Sequence, residues 1–150
     1  MIINKLFRYV TDIDWSNSDS PKLASTSMDS DLKIWKLETG KLESEYSIKS
    51  YGRVNLVSYS QLIKWANDHE IATTVDGGMR IQIMDTKLKK QSSVAGYNLT
   101  TGRSGPSGQT KAIDFNNDNH MMVLVNYPGS TNYNTPSSVI KVFDRRLVKP

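Results

Sequence analysis

The chain contains no cysteine, so neither a disulfide nor a thiolate metal site can form within it. Histidine is scarce too. His69 and His120 are the two present, and without an acidic cluster beside either in sequence they fall short of the three or four ligands that a zinc site needs. No metal and no cofactor is expected. Long apolar runs are missing: a stretch such as Met-Met-Val-Leu-Val at 121–125 is far below the roughly 20 residues that cross a bilayer as a helix. The first ten residues interrupt their apolar positions with Asn4, Lys5 and Arg8 and lack a small-residue cleavage site, so they do not read as a secretory signal. An intracellular protein, cytoplasmic or nuclear, is expected.

Concentrated charge is absent as well. Nineteen basic and fifteen acidic residues in a chain of 150 give a net charge of +4, and they are interspersed, with Lys87, Lys89 and Lys90 as the densest basic run. A nucleic-acid-binding surface gathers its lysines and arginines on one face, so nucleic acid is not the expected partner and the lysine run reads as solvated surface. Hydrophobic content of 37% and charged content of 23% suit a folded globular chain, with length for a single core rather than two domains. Nor does any segment carry an apolar stripe of 3.6-residue period over three turns, residues 60–67 being the one ambiguous window.

What the chain does have is an internal period of fifty. Asp12-Ile13-Asp14-Trp15 returns as Leu62-Ile63-Lys64-Trp65 and again as Ala112-Ile113-Asp114-Phe115, placing an isoleucine and an aromatic residue around a charged one each time. The alternation puts the apolar pair on one face of a strand and the charge on the other. A second apolar run follows each, at 22–28, 70–75 and 120–127. The first two end in acidic turns, Asp29-Ser30-Asp31 and Asp76-Gly77-Gly78, where Asp bonds nearby backbone and Gly supplies positive φ. Third strands are expected at 32–35, 80–84 and 139–143, alternating and β-branched. The Thr39-Gly40-Lys41 turn then leads into a fourth, outer strand at 42–48. The class is all-β.

The order of strand, turn, Leu23-Ala24-Ser25-Thr26-Ser27, Asp29 and then Leu32-Lys33-Ile34-Trp35 resembles a WD repeat. In that family a small-residue strand runs into an Asp-containing turn and then into a strand ending in Trp-Asp. Met84-Asp85 and Phe143-Asp144 resemble degenerate versions of that ending, while repeat one keeps Trp35 and has Lys36 in place of the Asp. No Gly-His dipeptide opens a repeat, so of the family's buried hydrogen-bond tetrad repeat one retains Asp29, a Ser or Thr among 25–27, and Trp35. Repeats of 50 residues exceed the usual length of about 40 to 45, which implies longer loops.

The resemblance implies part of a β-propeller, with blade one at about 9–49, blade two at about 58–99, a connector at 100–109, and blade three at about 110–150, its fourth strand lacking. Residues 2–9 would supply an outer strand to a further blade. Because propellers close with four to eight blades, the remaining blades are expected from a longer chain or from another subunit. With its edges and apolar faces uncovered, the isolated chain is expected to self-associate.

Catalytic constellations fail one by one. The glycine-rich segment 100–110 has Arg103 where a phosphate-cradling loop needs its first glycine, Gln109 where it needs lysine, and no following helix, and so reads as a connector. Asp12 and Asp14 share a strand face as a carboxylate pair would, but Asp14 recurs as Lys64 and Asp114, which points to a solvent-facing strand side. Asn98-Leu99-Thr100 is a sequon with no expected role in an intracellular chain. Trp15, Trp65 and Phe115 are expected to pack between blades, with Asp29, Trp35, Asp76, Phe143 and Asp144 as further structural positions of the repeat.

No enzyme is therefore expected, and function falls to the loops. Residues 126–138 lengthen the turn between the second and third strands of repeat three. Tyr127 and Tyr133 would make them a contact surface if the segment is ordered. Phe143-Asp144-Arg145-Arg146 resembles the Trp-Asp-x-Arg signature of propellers that act as substrate receptors for cullin-type ubiquitin ligases. That resemblance implies an adaptor contact for Arg146, beside the plainer reading of Arg145 and Arg146 as surface residues in a local ion pair. Residues 60–65 and 71–74 resemble repeats in WD subunits of a nutrient-signalling membrane coat. The leading expectation is a protein–protein interaction scaffold within a larger complex.

Overall fold

The computed structural model describes residues 9–28, 31–48, 61–75, 78, 80–87, 97–98, 109–116, 120–127 and 137–144. Every regular element among them is a strand. Eleven strands form three antiparallel meanders, each ordered by sequence. The first holds β1 (Val10–Trp15), β2 (Lys22–Ser27), β3 (Asp31–Lys36) and β4 (Lys41–Ser47). The second holds β5 (Ile63–Trp65), β6 (Glu70–Val75), β7 (Arg80–Asp85) and the two-residue β8 (Tyr97–Asn98). The third holds β9 (Gln109–Phe115), β10 (His120–Tyr127) and β11 (Ser137–Asp144).

Local chemistry reverses the chain between strands. After the first strand of each sheet, a backbone N–H reaches across the turn: Ser16 to the carbonyl of Lys22, Ala66 to Glu70 and Asn116 to His120. A side-chain oxygen closes each turn. Ser16 Oγ accepts from the Lys22 N–H, Asn67 Oδ1 from those of His69 and Glu70, and Asn116 Oδ1 from that of His120, the competition with ladder bonding that makes Ser and Asn turn residues. His69 therefore lies in a turn and His120 opens β10 at the end of one. Between β3 and β4, Gly40 takes φ 65° and its N–H donates to the Lys36 carbonyl at 2.8 Å, a left-handed conformation that favours glycine. Asp85 caps the end of β7, accepting from the Lys87 N–H at 2.8 Å.

The registers are equivalent from sheet to sheet. Leu23 faces Trp35, Ile71 faces Met84 and Met121 faces Phe143. In the first sheet the Trp35 indole N–H donates to Ser25 Oγ at 3.0 Å, both groups being buried. Two members of the expected polar network are thus joined, while Asp29 and Asp76 lie outside the described residues. Lys33 is buried on β3, with its ammonium 3.1 Å from Glu45, its cross-strand partner, and 3.7 Å from Asp31. This is the pairing that a buried cation requires.

Two apolar clusters form the core, and each lies between sheets. Ala24, Leu32, Ile34, Tyr46 and Ile48 of the first sheet meet Ile63, Trp65, Ile71, Val75 and Met84 of the second. Ala72 and Ile81 on the opposite face of the second sheet meet Ile113, Met121, Val123 and Val125 of the third, with Leu62, Ile83, Phe115 and Phe143 at the margin. Apolar burial, the main stabilising term in folding, is therefore located at the junctions between sheets. Among the described residues the middle sheet meets a neighbouring sheet on both faces and the first and third on one each, while Leu23, Ser25, Lys33 and Trp35 are buried on the other face of the first sheet as well.

Candidate functional site

Strands β1, β5 and β9 occupy the same edge of their sheets and pack against one another. An edge strand presents backbone groups with no partner in its own sheet. Along β5 those donors are taken by carboxylates of β1. The Ile63 N–H donates to Asp12 Oδ2 at 2.9 Å and the Trp65 N–H to Asp14 Oδ2 at 2.7 Å. The Trp65 indole N–H adds a bond to the Asp14 carbonyl at 3.2 Å. Asp12 and Asp14 are thus stitches between sheets, which corrects the expectation of a solvent-facing pair. Each carboxylate reaches the residue one place beyond its own repeat equivalent, at a separation of 51. Alternation along one strand shows which residues share a face, but not that a neighbouring edge would cover that face.

The charged position of the repeat forms a ladder across all three edges. Lys64 Nζ lies 3.3 Å from Asp14 Oδ1 and 3.9 Å from Asp114 Oδ1. The ends of this ladder differ, because the Asp14 side chain is 16% exposed and that of Asp114 is 63% exposed. Further ties run outward along the junctions. Thr26 Oγ1 donates to the Gln61 carbonyl at 3.2 Å, Tyr46 OH to the Thr86 carbonyl at 3.3 Å, and Thr110 Oγ1 to the Gly78 carbonyl at 2.7 Å. Gly78 has φ 85°, and a Cβ there would stand 3.3 Å from the Thr110 backbone N. Gly78→Ala is therefore expected to lower stability by about 1–2 kcal/mol, read as a shift in the urea midpoint. An unchanged midpoint would show that this junction yields freely.

The aromatic position divides. Trp65 is 6% exposed and packs between the first two sheets, Phe115 is partly buried against the second cluster, and Trp15 is 58% exposed. The expectation of packing thus holds for Trp65 and Phe115, but Trp15 has no described sheet before it. Tyr127 ends β10, and Phe143 and Asp144 end β11. Tyr133, Arg145, Arg146 and most of the 126–138 segment lie outside the described residues, as do most of the 100–109 connector and the first eight residues. Among the described residues no group of three His, Asp or Glu side chains is placed to hold a metal.

No protein-family profile matches the chain, and no curated protein matches it. Solved structures do. The C-terminal WD40 domain of Sif2 superposes with a TM-score of 0.57 at 12% identity, covering 94% of this chain and 33% of that one. The β-propeller domain of Swd1 from Myceliophteria thermophila gives 0.55 at 18%, covering 93% and 40%, and U3-55K gives 0.59 at 15%, covering 93% and 41%. The fold is that of WD40 propeller blades. The chain spans about a third to two fifths of these structures, as three blades of a larger ring would. In these terms β1, β5 and β9 are the inner strands, the Asp14–Lys64–Asp114 ladder runs along them, and Ser25 with Trp35 is the described part of a buried polar network in the first blade. Among the described residues no helix is long and apolar enough to cross a membrane.

Proposed function

We propose that the chain is the WD40 portion of a protein-interaction scaffold, acting within a multiprotein complex in the nucleus or cytoplasm, and that it catalyses no reaction. One observation carries the reading. The carboxylate pair that most resembled a catalytic dyad, Asp12 with Asp14, is consumed in holding one inner strand to the next, so it is not poised to move a proton on a substrate. What remains is a stiff array of sheets whose connecting segments are free to vary, the usual division of labour between scaffold and contact loops. The similar structures support the reading by their setting, one being a Polycomb Repressive Complex 2 from Chaetomium thermophilum, matched at 18% identity with a TM-score of 0.54 over 82% of this chain and 27% of that one.

The segment from Tyr127 through residue 138 is the proposed contact surface, with Tyr127 and Tyr133 as anchors of the kind that dominate interfaces. The test is co-purification of the tagged chain from its own cells, with subunit stoichiometry measured by native mass spectrometry. A stoichiometric partner is expected, lost on Tyr127→Ala with Tyr133→Ala while the thermal midpoint stays within about 2 °C, as for surface substitutions. Turnover of a small-molecule substrate that a single substitution abolishes would overturn the scaffold reading. Retention of the partner by the double variant would remove this segment from the interface.

A further inference from the structure

We infer that Lys22, Lys36 and Lys41, in a row across one end of the first sheet, form a recognition site for a phosphomonoester presented on a serine or threonine of a partner protein.

The register sets the row. Lys22 of β2 faces Lys36 of β3, and Lys36 faces Lys41 of β4, so three ammonium-bearing side chains share one face of the sheet on strands about 4.8 Å apart. Like charges directly opposite one another destabilise a sheet. Glu43 offsets this at Lys22, 3.0 Å away, while among the described residues no carboxylate lies within ion-pair distance of Lys36 or Lys41. Both are exposed. The fold does not ask for this arrangement. At the equivalent register the second sheet sets Glu70 against Asp85 and the third sets His120 against Asp144, and Lys36 stands where the WD repeat carries Asp. The lysine row therefore belongs to this blade and not to the repeat, and its repulsion is relieved when an anion sits on it.

Charge and extent define the occupant. Three adjacent strands span about 10 Å, short enough for flexible four-carbon stems to converge on one phosphate group. A phosphomonoester offers three acceptor oxygens and a charge of about −1.5 to −2 near neutral pH, more than any unmodified side chain can bring. The surroundings select against extended polyanions. Asp19 and Glu38 are exposed in the two adjoining turns, and the same end of the next sheet holds Glu70 opposite Asp85. A nucleic-acid strand or an anionic bilayer reaching past the row meets those carboxylates, whereas a single phosphorylated side chain does not. The row lies where β2 begins, and the contact segment proposed above starts where the equivalent strand β10 ends. The two contacts are thus at opposite ends of their sheets, and either can fail without the other.

Fluorescence anisotropy of the full chain tests this, with a labelled peptide library that holds phosphoserine between degenerate flanks, beside the same library with serine. The phosphorylated library is expected to bind at least about tenfold more tightly, the worth of one charge-assisted contact. Lys36→Asp installs the residue that the other two blades carry at this register. It is expected to weaken binding of the phosphorylated library at least about tenfold while the thermal midpoint holds or rises, because the like-charge row is broken. Lys41→Gln is expected to weaken binding in the same direction, and Lys111→Gln, exposed on β9 and away from the row, to leave it unchanged. Equal binding of the two libraries, or a phosphate preference that survives Lys36→Asp and Lys41→Gln, would overturn the proposal. So would flotation of the native chain, but not of Lys36→Asp, with vesicles of phosphatidylserine and phosphatidylcholine in equal parts, which would give the row to a membrane surface.

Discussion

Trp65→Ala is expected to lower the unfolding free energy by about 3–5 kcal/mol, the range for removing a large aromatic side chain from a packed core. The same substitution at Trp15 is expected to change it by no more than about 0.5 kcal/mol, as on an ordinary surface. Fifty residues separate two tryptophans with the same place in the repeat, and burial sets them apart first, at 6% and 58% exposure. Trp65 shares its cluster with Leu32 and Ile34 across the junction, and its indole N–H bonds the Asp14 carbonyl, so truncation opens a cavity and strips a tie at once. Urea unfolding of both variants, followed by circular dichroism, decides the matter. Comparable losses for the two would mean that Trp15 is covered in solution, by another blade or another copy.

Asp14→Ala is expected to be the next most damaging change, at about 2–3 kcal/mol, because it leaves the partly buried Trp65 N–H without its charge-assisted acceptor. The lost ion pair with Lys64 adds little, since Lys64 is about one third exposed and such pairs are worth at most about 1 kcal/mol. Asp14→Asn keeps an acceptor oxygen at the same place and is expected to recover most of the loss. Chemical denaturation of the two variants separates the hydrogen bond from the charge. If Asn proves as damaging as Ala, the carboxylate's charge rather than its acceptor oxygen holds the strands.

Much of the fold was legible because it rests on local pattern. The period of 50, the alternation around Ile13, Ile63 and Ile113, and the runs that became β2, β6 and β10 all follow from a side-chain period of two, which burial of one face imposes on any such strand. The pairing of Trp35 with a small hydroxyl residue was also visible, down to a choice among three positions that the register resolves as Ser25. The stitches at Asp12 and Asp14 were not. Their partners lie one residue off the repeat equivalence, and an offset between neighbouring edges is a property of how the sheets stack, not of any one strand. Trp15, 58% exposed, differs from Trp65 for the related reason that a repeat shows which face packs, and not which neighbour covers it.

Because every described tie between blades joins a blade to its immediate neighbour, the molecule behaves as a one-dimensional array of coupled units rather than as a single cooperative core. Within a unit most strands pair with a neighbour close in sequence, so most of each blade's own contacts are inexpensive to form in entropy. The coupling between units rests on the apolar clusters at the junctions and on a few polar ties between groups some fifty residues apart, Asp12 and Asp14 among them. Three near-copies of one motif are therefore not energetically interchangeable. Among the described residues the central one is tied to a neighbour on both sides.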